Sequence, residues 1–107
     1  MEITQELLSE KIANGEKLVV DFWAPWCGPC KLMKPIFESV ASEVNTEGSD
    51  VKMYTLNVEE NRELSSSLGI RAIPTVKGFN NGQEVFSKSG VLMESMIKDV
   101  VNNVLNG

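Results

Sequence analysis

The sequence predicts an α/β fold, a mixed β-sheet with helices on both faces. Three observations carry that prediction. Segments with an apolar period of three to four residues alternate with short β-branched runs, and two late runs are joined by Asn81-Gly82. The 107-residue length, with 42% hydrophobic and 23% charged content, suits one core, so residues 1–107 read as a single domain. No repeat, low-complexity tract or Pro/Gly/Ser-rich linker divides it.

Thr4 is the expected N-cap of the first helix, with Ile3 and Leu8 at staple positions and Asn14-Gly15 at its end. Leu7, Leu8 and Ile12 give that helix its apolar face. The run from Leu18 to Trp23 reads as a strand covered on both faces, in which Asp21 is the misfit. After Ala24-Pro25-Trp26-Cys27-Gly28-Pro29-Cys30, the spacing of Met33, Ile36, Phe37, Val40, Ala41 and Val44 predicts a long helix. Pro35 should kink it, because a ladder bond is lost there. Gly48-Ser49-Asp50 is a loop, Val51 to Val58 alternates as a second strand, and a short helix through Leu64 and Leu68 stops at Gly69. Thr75 to Phe79, the turn Asn80-Asn81-Gly82 and Glu84 to Ser87 form an antiparallel hairpin. Met93, Met96, Ile97, Val100, Val101, Val104 and Leu105 fall on one face of a closing helix.

A formal net charge of -5 repels phosphate backbones and anionic lipid, which argues against nucleic acid as a partner. No apolar run approaches the roughly 20 residues of a membrane span. Met1-Glu2-Ile3-Thr4-Gln5-Glu6 has neither a basic nor an apolar leader region, so the expected location is the cytoplasm. The absence of histidine excludes a His-based triad, a Cys-His nucleophile pair and a Cys2His2 zinc site within the chain.

The chemistry then rests on Cys27 and Cys30. Strand passes into helix across this pair, which leaves Cys27 at the helix N-terminus and Cys30 one turn inside, where it should be the less exposed of the two. Free N–H groups and the positive end of the helix dipole favour a thiolate at Cys27, with modest help from Lys31 and Lys34. Cys30 is then placed to attack a mixed disulfide formed at Cys27. The competing zinc reading lacks ligands, since a site would need carboxylates or a second chain. From the residues alone, Asp21 is as well read as an edge carboxylate in water as a buried functional acid. No cofactor site is expected.

Val20-Asp21-Phe22-Trp23-Ala24-Pro25-Trp26-Cys27-Gly28-Pro29-Cys30-Lys31, then Pro35, then Gly69-Ile70-Arg71-Ala72-Ile73-Pro74-Thr75, resemble the thioredoxin family. Asn81-Gly82 and Gly90 also fall where that family has them, and the resemblance runs nearly the whole chain. It implies a thioredoxin fold of about four main strands and four helices, and a protein-disulfide reductase recharged by a thioredoxin reductase, either NADPH/flavin or ferredoxin-linked. It also implies roles: Cys27 as nucleophile, Cys30 as resolving thiol, Asp21 as the buried acid for the Cys30 proton, and Pro74 as a cis proline. Trp26, Gly28, Pro29, Ile73, Pro74, Gly90 and Val91 would hold the substrate's backbone. A monomer is implied as well. An oxidase or isomerase of the same fold is disfavoured by Gly28-Pro29, which accompanies reducing members. The other alternative is a non-catalytic subunit that binds through Trp26, Ile73 and Pro74.

Three features depart from the family pattern. Only Met1-Glu2-Ile3 precede the first helix, so the usual first strand should be missing or a stub, with an open edge along Met53 to Leu56. Thr55 stands where many members carry a lysine near the buried acid, which should raise the pKa of Asp21 further. Lys77-Gly78 interrupts an apolar strand, where the glycine should remove packing, the lysine must reach solvent, and some stability should be lost.

Overall fold

The computed structural model describes residues 1–106. Thr4 caps α1 (Gln5–Ala13) by accepting the Leu7 N–H at its hydroxyl, and Ile3 and Leu8 are both buried in one cluster as a staple requires. Next come β1 (Lys17–Trp23), α2 (Gly28–Val44), β2 (Val51–Asn57), α3 (Arg62–Ser67), β3 (Thr75–Asn80), β4 (Gln83–Ser89) and α4 (Glu94–Asn106). Pro35 lies inside α2, which continues past it to Val44.

The strands order as β2-β1-β3-β4, with β1 parallel to β2 and the other two pairings antiparallel, so the sheet is mixed as expected. Side chains of β1 alternate between two clusters. Val19 packs with Met33 and Phe37 of α2, Met53 of β2, and Ile97, Val100 and Val104 of α4. Leu18, Val20 and Phe22 point the other way, to Leu8 of α1, Leu56 of β2 and Phe79 of β3. Each fully buried side chain of this size contributes about 1.5 to 3 kcal/mol, so β1, covered on both faces, anchors the domain. The hairpin between β3 and β4 turns through Asn81 at φ 57° and Gly82 at φ 79°, the left-handed pair of a tight turn.

The first strand of the family is indeed a stub. Ile3 N–H donates to the Thr55 carbonyl at 2.8 Å and Thr55 N–H to the Met1 carbonyl at 3.0 Å, and the only bridge made there joins Glu2 to Thr55. The rest of the outer edge of β2 has no strand partner among the described residues. The apolar helix faces are narrower than the spacing implied. Leu7, Met93, Met96 and Leu105 are exposed, because only the central stripe of a surface helix meets the sheet.

Two expectations for β3 are corrected. Lys77 does not reach solvent: it is buried, and its Nζ donates to Glu84 Oε1 at 2.7 Å and Ser87 Oγ at 3.0 Å on β4. Gly78 does not cost packing, because α4 fills the space. A Cβ on Gly78 would lie 2.5 Å from Val104 Cγ2, well inside contact distance, and 3.4 Å from Phe86 Cβ, in ordinary contact. Gly78→Ala should therefore destabilise the protein by about 1 to 3 kcal/mol in urea unfolding. Val104→Ala in the same chain should recover part of the loss, and additive losses in the double variant would contradict the close approach.

Candidate active site

Ala24, Pro25, Trp26 and Cys27 alone carry the chain from β1 into α2. Cys27 is the N-cap, with extended backbone at φ -87°, and the Cys30 N–H donates to its Sγ at 3.2 Å. Pro29 fits the first turn because the N–H groups there have no helical acceptor. Cys27 and Cys30 are closed as a disulfide, with Cα atoms 5.2 Å apart. Their exposures of 3% and 2% do not show the asymmetry expected, since both residues are buried in one cluster with Ala24, against which Trp23, Val58 and Ile73 pack.

A second segment approaches from the start of β3. The Ile73-Pro74 peptide is cis, and the Ile73 carbonyl oxygen lies 3.7 Å from Cys27 Sγ. Thr75 Oγ1 donates to the Ala72 carbonyl, and the Gly90 N–H donates to the Pro74 carbonyl at 2.8 Å, which ties the end of β4 to the same place. Gly90, at φ 100°, occupies backbone space that only glycine takes readily. Gly28 and Pro29 are exposed, Trp26 is 66% exposed, Ile73 and Val91 are half-buried and Pro74 is buried. Trp26 Nε1 donates to Glu59 Oε2 at 2.6 Å, at the rim of a groove lined by Val58, Arg62, Ile70 and Arg71.

Asp21 lies within β1, an inner strand, paired with Thr55 on β2 and Val76 on β3. It is 1% exposed, and its Oδ1 has no hydrogen-bond partner among the described residues. The reading as a solvated edge carboxylate is therefore excluded. Burial, first of all, pushes its pKa up to about 7; Glu2 and Glu38 add to the rise and Lys34 opposes it. Lys34 Nζ lies 4.8 Å from the centre of the Trp23 ring, as a cation over an aromatic face. Thr55 supplies no cation to Asp21 and gives its hydroxyl hydrogen to Glu2 Oε1 at 2.5 Å.

Sequence reasoning missed Glu2 and Glu59. No pattern marks Glu2, because only the bridge to Thr55 brings the N-terminus across β2. Glu59, just after β2, gave a weak signal as the first carboxylate of Glu59-Glu60 beyond that strand's end. Among the described residues, no three His, Cys, Asp or Glu side chains group as a metal site would require, and no helix is long and apolar enough to cross a membrane.

A cysteine pair at a helix N-terminus, with a cis-proline segment against it and a buried acid in the strand that leads to it, defines a dithiol-disulfide exchange protein. The comparisons agree. The thioredoxin family model matches residues 1–103. Thioredoxin of Rickettsia bellii is 35% identical over 102 residues, covering 94% of each chain, and that of Porphyra purpurea is 30% identical over 106 residues, covering 98% of this chain and 96% of its own. Among solved structures, chloroplastic thioredoxin z superposes with a TM-score of 0.81 at 33% identity, covering 99% of this chain and 94% of its own. Thioredoxin of Malassezia sympodialis gives 0.80 at 30% identity, covering 94% and 88%. The chain belongs to the thioredoxin family. It is a disulfide oxidoreductase whose redox-active pair is Cys27 and Cys30, and proteins of this family work with a thioredoxin reductase and disulfide-bearing substrates.

The raised pKa of Asp21 has a consequence for stability. Between its ordinary value of 3.8 and about 7, the folded chain keeps a proton that the unfolded chain has lost, so folding stability falls as pH rises through that window. Fully developed above it, the loss amounts to about 4 kcal/mol at most. Urea unfolding of the oxidised protein at pH 5 and pH 8 should show this fall, and Asp21→Ala should abolish most of it. The same fall in both proteins would mean that Asp21 does not titrate in the folded core.

Proposed function

We propose that the chain is a general reductant of protein disulfides, recycled by a thioredoxin reductase and working as a cytoplasmic monomer of one domain over residues 1–107. The observation that carries the reading is the placement of Cys27 as N-cap of the 17-residue α2, where its sulfur accepts the Cys30 N–H. That position stabilises a thiolate and so activates a nucleophile in a chain without histidine. Gly28-Pro29 between the cysteines supports a reducing member. The cytoplasm suits the reading because a dithiol donor needs a compartment that keeps it reduced. Either an NADPH/flavin or a ferredoxin-linked reductase would serve.

In the reduced protein, the Cys27 thiolate attacks one sulfur of the substrate disulfide; a mixed disulfide forms and the other substrate sulfur leaves as a thiolate. Cys30 passes its thiol proton to the Asp21 carboxylate and attacks Cys27 Sγ. The substrate's second sulfur leaves, the Cys27–Cys30 disulfide closes, and two electrons have moved to the substrate. The reductase returns them. Ile73, Pro74, Gly90 and Val91, with Trp26, Gly28 and Pro29, form the surface on which an extended substrate segment would lie, its backbone pairing beside the exposed edge of the proline loop.

These roles separate cleanly by substitution. Cys30→Ser should accumulate mixed disulfides at Cys27 when incubated with a disulfide-bearing protein, visible as reductant-sensitive adducts by mass spectrometry, whereas Cys27→Ser should form none. Asp21→Asn should slow reduction by at least about tenfold and flatten its pH dependence. Adducts trapped on Cys30 instead would reverse the assignment. Biological activity retained by the Cys27→Ser, Cys30→Ser double variant would establish a binding subunit.

A further inference from the structure

Across the sheet, four positions stand in one row. Glu2 of the N-terminal stub bridges to Thr55 of β2, Thr55 pairs with Asp21 of β1, and Asp21 pairs with Val76 of β3. Residues in one row point to the same face, about 4.8 Å apart from strand to strand, so Glu2 and Asp21 share a face with only Thr55 between them. Glu2 is exposed at the sheet edge, yet its carboxylate is tethered there. Three donors hold its carboxylate over β2: Thr55 Oγ1 at 2.5 Å and Trp23 Nε1 at 3.1 Å, both to Oε1, and the Asn57 N–H at 2.8 Å to Oε2. Trp23 and Asn57 lie two residues beyond Asp21 and Thr55 on their strands, on the same face. The clamp therefore draws the carboxylate inward, toward β1.

Every group in the clamp is a donor, which is the arrangement that holds an anion in place. The remaining charged groups that act on Asp21 come from α2, Lys34 and Glu38, while its paired neighbours Thr55 and Val76 are uncharged. Lys34 is engaged over the Trp23 ring and is the one cation of the set. Carboxylates thus outnumber cations around a buried acid whose Oδ1 is unpartnered among the described residues.

We propose that Glu2 is a positioning residue for Asp21: its clamped carboxylate fixes a negative charge on the same face as the buried acid, across Thr55 from it, and sets the pH at which that acid gains and loses its proton. The proposal deepens the reading of Asp21 as the group that takes the Cys30 proton, and rests on it for its kinetic consequence. A fixed anion favours the neutral form of a neighbouring carboxyl, which burial alone already favours, so the two act in the same direction. The N-terminal stub, which adds little to the sheet, acquires a function at the site.

The test is a 13C titration of the Asp21 carboxyl in the oxidised protein, where the bonded cysteines do not titrate, beside the pH profile of substrate reduction by the reduced protein. Glu2→Gln keeps the size of the side chain and removes its charge; the Asp21 midpoint should fall by about one pH unit, and the rate profile should move with it. Thr55→Val removes one clamp donor and keeps the charge, so its shift should be smaller and in the same direction. An Asp21 midpoint unmoved in Glu2→Gln overturns the proposal, even if that variant is less stable, since lost stability alone marks a merely structural clamp. A midpoint that falls while the rate profile stays in place upholds the coupling of Glu2 to Asp21 and removes Asp21 from the proton transfer.

Discussion

The direct passage of β1 into α2 is the constraint on which the site depends. Four residues make the connection, and the strand that supplies it is an inner one, packed on both faces. The N-terminus of α2 is therefore fixed against the core, and Cys27 at its cap cannot drift from the end of the helix. The same rigidity buries Asp21 two residues before the strand ends. A nucleophile at the positive end of a helix and an acid in a low-dielectric interior are thus two outcomes of one packing decision.

Their electrostatics differ in kind. The helix end offers N–H groups to a sulfur and lowers the cost of its negative charge, whereas the core offers Asp21 nothing comparable and raises that cost. A thiolate at Cys27 and a buried carboxyl with its pKa raised to about 7, which as a carboxylate can take up a proton near neutral pH, suit a reaction in which a proton must leave Cys30 as its sulfur attacks. The unpartnered acid lowers stability at neutral pH, a cost borne by the well-packed strand on which it sits.

Much of this was legible in the sequence because local chemistry and tertiary outcome agree there. Thr4, Asn81-Gly82 and the apolar periodicities specify their elements through caps, left-handed backbone and burial. The Cys27–Cys30 pair announced its chemistry by elimination, with no histidine in the chain. What was not legible depends on side chains meeting across distant segments. Gly78 reads as a defect in a strand until α4 is seen to press Val104 against it. Lys77 reads as a misplaced charge until Glu84 and Ser87 are found on the neighbouring strand. Asp21 was ambiguous between edge and core because strand order, which decides it, is a long-range property. The carboxylate of Glu2 was invisible, since a single bridge to Thr55 carries it to the site.

The claim that this dithiol serves as a reductant is tested most directly by the midpoint potential of the Cys27–Cys30 couple, read by equilibration against glutathione and dithiothreitol buffers. A reductant requires a potential well below that of the glutathione couple, and that is the expected result. A potential well above it would contradict the assignment and make oxidase or isomerase chemistry the function of the pair.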